Sequence, residues 1–233
     1  MMLVAHDDTK TKGDQPLYTV SDAARYLHIP VSTLHSWIGG RTFPTRNGPR
    51  RSPPIITLPE PNGNFRLSFN NLIELYVLRA LRTKHSVSLR KIRQALDYAE
   101  RSLGIQRLLI RKELQTTGGD VFLEYFGDLI DLSKSGQVAL KEILKGSLKR
   151  VYWEGDLPVR LFLSIPSREE RMSVYVDPRT HYGNPTVQGV ETRILARRID
   201  AGEEPEELAS DYGLELASVI DALIFESALE RAA

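Results

Sequence analysis

Between Val20 and Trp37 the small and apolar residues fall in a pattern that two short helices crossing at a tight turn can bury. Ala24 is the small residue a close crossing requires, Ala23 and Leu27 face the core beside it, and Ile29 plugs the turn. Leu34 and Trp37 anchor the second helix. Thr19 or Ser21 can cap the first helix and Ser32 the second. The turn position is His28 rather than glycine, so the pattern asks a histidine to adopt positive φ. With Leu34 and Trp37 turned inward, Ser32, Thr33, His35 and Ser36 form the outer face of the second helix.

Charge is distributed unevenly around this unit. The formal net charge of +1 conceals five arginines against one acid, Asp22, from Leu17 to Pro59. From Asn64 to Gln115 there are eleven Lys or Arg and four acids, and from Ile199 onward ten acids and one arginine, Arg231. A basic front and an acidic back suit two different partners. On the front, Arg41, Arg46, Arg50, Arg51 and Arg66 are candidates for phosphate contacts, and Ser32, Thr33, His35 and Ser36 for base edges or phosphates. A recognition face without arginine discriminates weakly by itself.

The periodicities predict a mainly helical α+β chain. Residues 1–16 read as a flexible tail and 17–103 as a winged helix-turn-helix. Within it, short strands at Ile55–Leu58 and Phe65–Ser68 are joined across Asn62-Gly63, a dipeptide that tolerates the positive φ of hairpin turns. Helices at Asn70–Thr83 and Ser88–Leu103 follow, the latter capped by Ser88. Residues 104–166 read as a small α+β middle unit. Its strands are Leu108–Leu114 and Val121–Phe126 around Thr116–Gly119, then Arg150–Trp153 and Val159–Ser164, with a helix at Val138–Leu148. These strands are the expected dimer surface. Ser167–Arg171 reads as a linker, and 167–233 as an acidic tri-helical domain.

That last domain repeats the helix-turn-helix template, with Ala209 small, Gly213 at the turn, Leu214 as plug and Val219 and Ala222 as anchors. Leu208 and Tyr212 are expected to face its core. Glu203, Glu204, Glu206, Glu207, Asp211, Glu215, Asp221 and Glu226 crowd these helices. DNA affinity comes largely from neutralised phosphates, so such a surface suits a protein partner instead. Glu203, Glu204 and Glu207 are candidates to attract it, with Tyr212 and Phe225 among the candidate apolar anchors.

Residues 17 to about 100 resemble the DNA-binding domain of the MerR regulator family. The resemblance is carried by Leu17-Tyr18-Thr19-Val20-Ser21-Asp22-Ala23-Ala24-Arg25-Tyr26-Leu27, by Ser32-Thr33-Leu34-His35-Ser36-Trp37, and by Phe65-Arg66-Leu67-Ser68-Phe69, Leu72 and Val87-Ser88-Leu89-Arg90-Lys91-Ile92. The wing from Arg41 to Asn64 is longer than usual there, and that family's long coiled-coil helix is not evident. Val174-Tyr175-Val176-Asp177-Pro178-Arg179, Gly183-Asn184-Pro185-Thr186-Val187-Gln188-Gly189 and Glu206-Glu207-Leu208-Ala209-Ser210-Asp211-Tyr212-Gly213-Leu214 resemble domain of unknown function 433, found in VapB-type antitoxins. Val190-Glu191 stand before Thr192-Arg193 where that family joins its second glycine directly to Thr-Arg, so the motif does not fix where the first helix starts.

Together the resemblances imply an antitoxin that represses its own operon, as a homodimer on operator DNA, and neutralises a PIN-like ribonuclease toxin. The alternative is a ligand-responsive MerR-like regulator whose middle unit is the sensor. An enzyme is not expected. Cysteine is absent, the five histidines have no metal-ligand spacing, and no GxSxG elbow or phosphate-cradling glycine loop occurs. No cofactor or metal is expected. No apolar run spans a bilayer and no signal layout opens the chain, so the expected location is the cytoplasm, with no membrane partner.

Overall fold

A computed structural model describes residues 13–46, 48–60, 65–85, 88–111, 124–126, 128, 141–142 and 144–231. The N-terminal part contains β1 (Tyr18–Thr19), α1 (Val20–Tyr26), α2 (Val31–Gly39), β2 (Arg41–Thr45), β3 (Gly48–Ser52), β4 (Arg66–Leu67), α3 (Phe69–His85) and α4 (Leu89–Leu103). The rest contributes β5 (Val151–Glu154), β6 (Leu157–Phe162), β7 (Val174–Val176), β8 (Thr186–Val187), β9 (Val190–Glu191), α5 (Thr192–Asp200), α6 (Pro205–Tyr212) and α7 (Leu216–Arg231). The fold class is α+β, mainly α, as the periodicities predict. Among the described residues no helix is long and apolar enough to cross a membrane.

Three small sheets organise these elements. β1 pairs with β4, β2 with β3, and β5 to β9 form one antiparallel meander in chain order. The meander alternates as a half-covered sheet must. Val151, Leu161, Val174 and Val176 point into the main core, which also holds the apolar residues of α1 to α4 together with Phe225 and Leu229 from α7. A second, smaller core of Val187, Leu195, Leu208, Leu214, Val219 and Ala222 binds α5, α6 and α7 together.

Several expectations change. Within the expected Arg41–Asn64 wing the hairpin lies earlier than predicted: it is the β2–β3 ribbon of Arg41–Thr45 and Gly48–Ser52. Ile55–Leu58 is not a strand, because the Ile55 and Ile56 amides turn back to the Trp37 carbonyl (2.7 and 3.2 Å) and finish α2. The Phe65–Ser68 strand shrinks to Arg66–Leu67 and pairs with Tyr18–Thr19. Leu108–Ile110 is a 3-10 turn rather than a strand, and residues 124–126 are helical. The Thr116–Gly119 turn and residues 112–114, 121–123 and 138–140 lie outside the described residues, whereas 141–142 and 144–148 are helical as expected.

Two supposed connectors are tied down. The Asn70 amide donates to the Gly13 carbonyl, and Asp14 accepts from Asn70 and from Arg107 (2.6 Å), so the end of the expected tail is fixed to α3. Arg107 also grips Glu74, buried on α3, through two nitrogens (2.9 and 3.1 Å). The Ser167–Arg171 segment is a clamp rather than a linker: Arg168 and Arg171 each place a guanidinium 2.8 Å from Asp221 of α7. The five-stranded sheet therefore runs across residue 167, where the expected linker placed a division.

Candidate nucleic-acid interface

The helix-turn-helix is built by local rules. Thr19 and Asp22 form a reciprocal cap on α1: the Asp22 amide donates to the Thr19 hydroxyl (3.1 Å), and the Thr19 amide donates to the Asp22 carboxylate (3.1 Å). Of the two residues proposed for this cap, Thr19 holds it. His28 takes φ 49°, which lets the Ile29 amide reach the Ala24 carbonyl (2.9 Å) and buries Ile29. The His28 ring is half-buried, with Nε2 3.4 Å from the Ser164 carbonyl. Burial lowers its pKa despite that carbonyl, which favours the charged form, so the ring is neutral near pH 7. Leu34 and Trp37 are buried as the spacing demands.

α2 begins two residues earlier than a Ser32 cap implies. Pro30 is its cap position and no side chain caps it, so Ser32 stands inside the first turn with its hydroxyl free of that duty. Ser32 and His35 are exposed, and Thr33 and Ser36 half-buried, on the outward face. The His35 ring meets Phe65 edge-on at 5.9 Å, which brings the residue before Arg66 against this face. The uncapped N-terminus leaves amides available to an anion such as a phosphate.

The wing springs directly from α2 through Gly40. This residue has φ 76° and ψ −178°, and a Cβ there would overlap the Ser52 carbonyl oxygen, so only glycine lets the chain reverse beside its own return strand. In the ribbon Arg41 pairs with Ser52, Thr42 with Arg51 and Phe43 with Arg50. Arg41, Arg46, Arg50 and Arg51 are all exposed, as is Arg66 on β4. None of the five forms an ion pair among the described residues. Pro44 opposes Pro49, so neither strand offers an amide there and the ribbon resists pairing with another edge. At the base of the wing, Arg93 of α4 donates to the Pro53 carbonyl (2.7 Å). Sequence reasoning named these arginines but missed the ribbon that carries them; another Asn-Gly dipeptide, Asn47-Gly48, was the available signal.

The acidic module is partly neutralised from within. Asp221 is fully buried; burial favours its neutral form, but Ser173, Arg171 and Arg168 outweigh burial and hold its pKa below the usual carboxylate range. Arg198 of α5 grips Glu203 and Asp211 and lies over the Tyr212 ring at 5.2 Å. Glu226 accepts from the Thr192 hydroxyl in a half-buried position, where burial raises its pKa. Glu204, Glu206, Glu207 and Glu215 remain exposed. The turn at Gly213 is left-handed (φ 63°) as expected, and Glu204 and Glu207 cap α6 reciprocally. Tyr212 does not face the core: it is 37% exposed. Phe225 is the opposite case, fully buried in the main core, and so cannot be a surface anchor.

This module packs on the helix-turn-helix itself. Gly183 sits so close beneath Tyr18 that a side chain there would overlap the tyrosine hydroxyl. A cleft of about 450 Å³ separates Asp22, Arg25 and Tyr26 of α1 from Arg193, Glu226 and Glu230.

Comparison with known proteins agrees with this geometry. Residues 16–96 match the family model described as "Putative DNA-binding HTH domain". The chain is 32% identical over 238 residues to "Putative antitoxin VapB45" of Mycobacterium tuberculosis, covering 95% of this chain and 98% of that protein. It is 23% identical to "Uncharacterized protein Rv2308" of the same organism, over 90% of each chain. The crystal structure of Rv2018 from M. tuberculosis superimposes with a TM-score of 0.65 at 26% identity, over 90% of this chain and 98% of that one. With that identity to VapB45 along nearly the full length of both chains, and with a helix-turn-helix domain at its front, this protein belongs to the VapB45-like antitoxin family.

Proposed function

We propose that the protein is the antitoxin of a toxin–antitoxin pair that represses its own operon and neutralises a PIN-like ribonuclease toxin. The observation that carries the DNA half is the exposed β2–β3 ribbon, whose four arginines have no carboxylate partner among the described residues, extending from a helix with Ser32, Thr33, His35 and Ser36 outward. The ribbon arginines and Arg66 hold phosphates, and α2 enters the major groove, with two copies of the chain meeting a pseudo-palindromic operator. The resemblances to MerR-type readers and to domain of unknown function 433 support the two halves. The toxin half rests on the family and on the exposed Glu204 and Glu207 at one end of α6 with the exposed Tyr212 at the other, while Glu203 shares its charge with Arg198.

The test is promoter binding across salt concentrations. Arg50→Ala or Arg51→Ala should weaken all sequences alike and flatten the log–log salt slope by about one. Salt-independent affinity, or none for the promoter, overturns the assignment.

One observation favours the ligand-responsive reading. A cavity of about 630 Å³ lies between His28 at the helix-turn-helix turn, Tyr76 and Arg79 of α3, and Ser147, Ile165 and Pro166. A small molecule that fills it and changes promoter affinity with no toxin present would select that reading.

A further inference from the structure

The outer face of the meander is uncovered and aromatic. Tyr152 pairs in register with Arg160, and Phe162 with Tyr175, so these four side chains share the face opposite the core. Tyr152 is 52% exposed and Met172, beside them, 48%. Phe162 and Tyr175 form the apolar wall of a groove of about 550 Å³ whose rim carries Met172, Glu170 and Glu215. Half-exposed aromatics and an adaptable methionine around a concavity are the composition of a protein-binding centre.

Charge selects the occupant. The cations at this groove are already engaged: Arg160 lies 4.0 Å over the Tyr175 ring and 3.6 Å from Asp177, and Arg171 is held by Asp221. Glu170 and Glu215 are exposed and form no ion pair among the described residues. Aromatic sheet faces also stack single-stranded nucleic acid, but they do so within basic surroundings, and free carboxylates on the rim repel phosphates. An apolar floor with an acidic rim fits an amphipathic segment bearing Lys or Arg. Glu215 and the exposed Leu216 belong to the acidic helical module, so the groove and that module form one continuous surface.

We infer that this groove, from the sheet face to the start of α7, is where the toxin docks a basic amphipathic segment. The inference rests on the toxin reading above. The experiment uses the full chain carrying Tyr152→Asp and Met172→Asp together, with promoter affinity and thermal unfolding as controls for folding. If unfolding shifts, the single variants Tyr152→Ser and Met172→Ser take its place. Two carboxylates set on the sheet face and the groove rim oppose both the apolar contact and its docking, so toxin affinity should fall at least about tenfold, with promoter binding unchanged. Unchanged toxin affinity overturns the groove and leaves the toxin reading standing. If the unaltered chain does not bind the toxin, that reading fails, and a short Lys/Leu amphipathic peptide decides on the groove. Peptide binding that the double variant loses supports it. Binding of oligo(U) that the variant loses, or binding of neither probe, overturns it.

Discussion

Asp221 offers the sharpest test of how α7 is tied to the segment between β6 and β7. Its carboxylate is fully buried and accepts from Arg168 and Arg171, each at 2.8 Å, and from Ser173 at 2.7 Å. Asp221→Asn keeps the shape and one acceptor while removing the charge. Breaking a buried ion pair costs about 3–5 kcal/mol when the remaining charge stays buried. Here the two arginine side chains are 36% and 39% exposed, so water takes up the released guanidiniums and the expected loss is about 2 kcal/mol. With a urea slope of about 2–3 kcal/mol/M, the unfolding midpoint should drop by roughly 0.7–1 M. The pH dependence has a fixed sign. The folded-state pKa lies below the unfolded value, so the stabilisation is complete above the ordinary aspartate range and is lost as pH falls through the depressed value. The difference between the two proteins should therefore be full at neutral pH and shrink in acid. An unchanged midpoint, or a difference that persists undiminished in acid, would refute the clamp.

Three other outcomes follow from the site. Gly40→Ala forces a side chain into a backbone region reserved for glycine and against the Ser52 carbonyl, costing about 1–3 kcal/mol in thermal unfolding and displacing the wing, with loss of promoter binding; a variant that keeps both would show the wing is not held this way. His35→Ala and Ser36→Ala should change which operator variants are preferred, by roughly 1–3 kcal/mol at particular bases, whereas a uniform loss would place them on phosphates. Charge reversal of Glu204, Glu206 and Glu207 in the full chain should slow toxin association more than it speeds dissociation in surface-binding kinetics, and an unchanged association rate counts against electrostatic attraction. Truncation near Ser167, which the charge split suggests as a test, is unsuitable, because it removes β7 to β9 and the buried Phe225 and Leu229 from the shared core.

What the sequence determined by itself is whatever depends on neighbours within a turn or two. The Ala24, Ile29, Leu34 and Trp37 spacing, the Thr19 and Ser88 caps and the positive φ at His28 and Gly213 are local, and each stands as the residues imply. The arginines of the wing and the glutamates of α6 were visible as charge for the same reason. Tertiary structure alone decided what covers each face. The β2–β3 ribbon has no buried side, so it shows no alternation, and only its pairing reveals the hairpin. The β1–β4 ladder and the sheet crossing residue 167 join segments far apart in sequence, where periodicity carries no information on the partner. Phe225 and Asp221 lie on a helix whose residues touch two cores and an arginine clamp; that an acid is buried and an aromatic hidden depends on Arg168, Arg171 and the sheet arriving from elsewhere. Hydrophobic pattern reports that a residue wants burial, while the strands and guanidiniums that supply it come only with the fold.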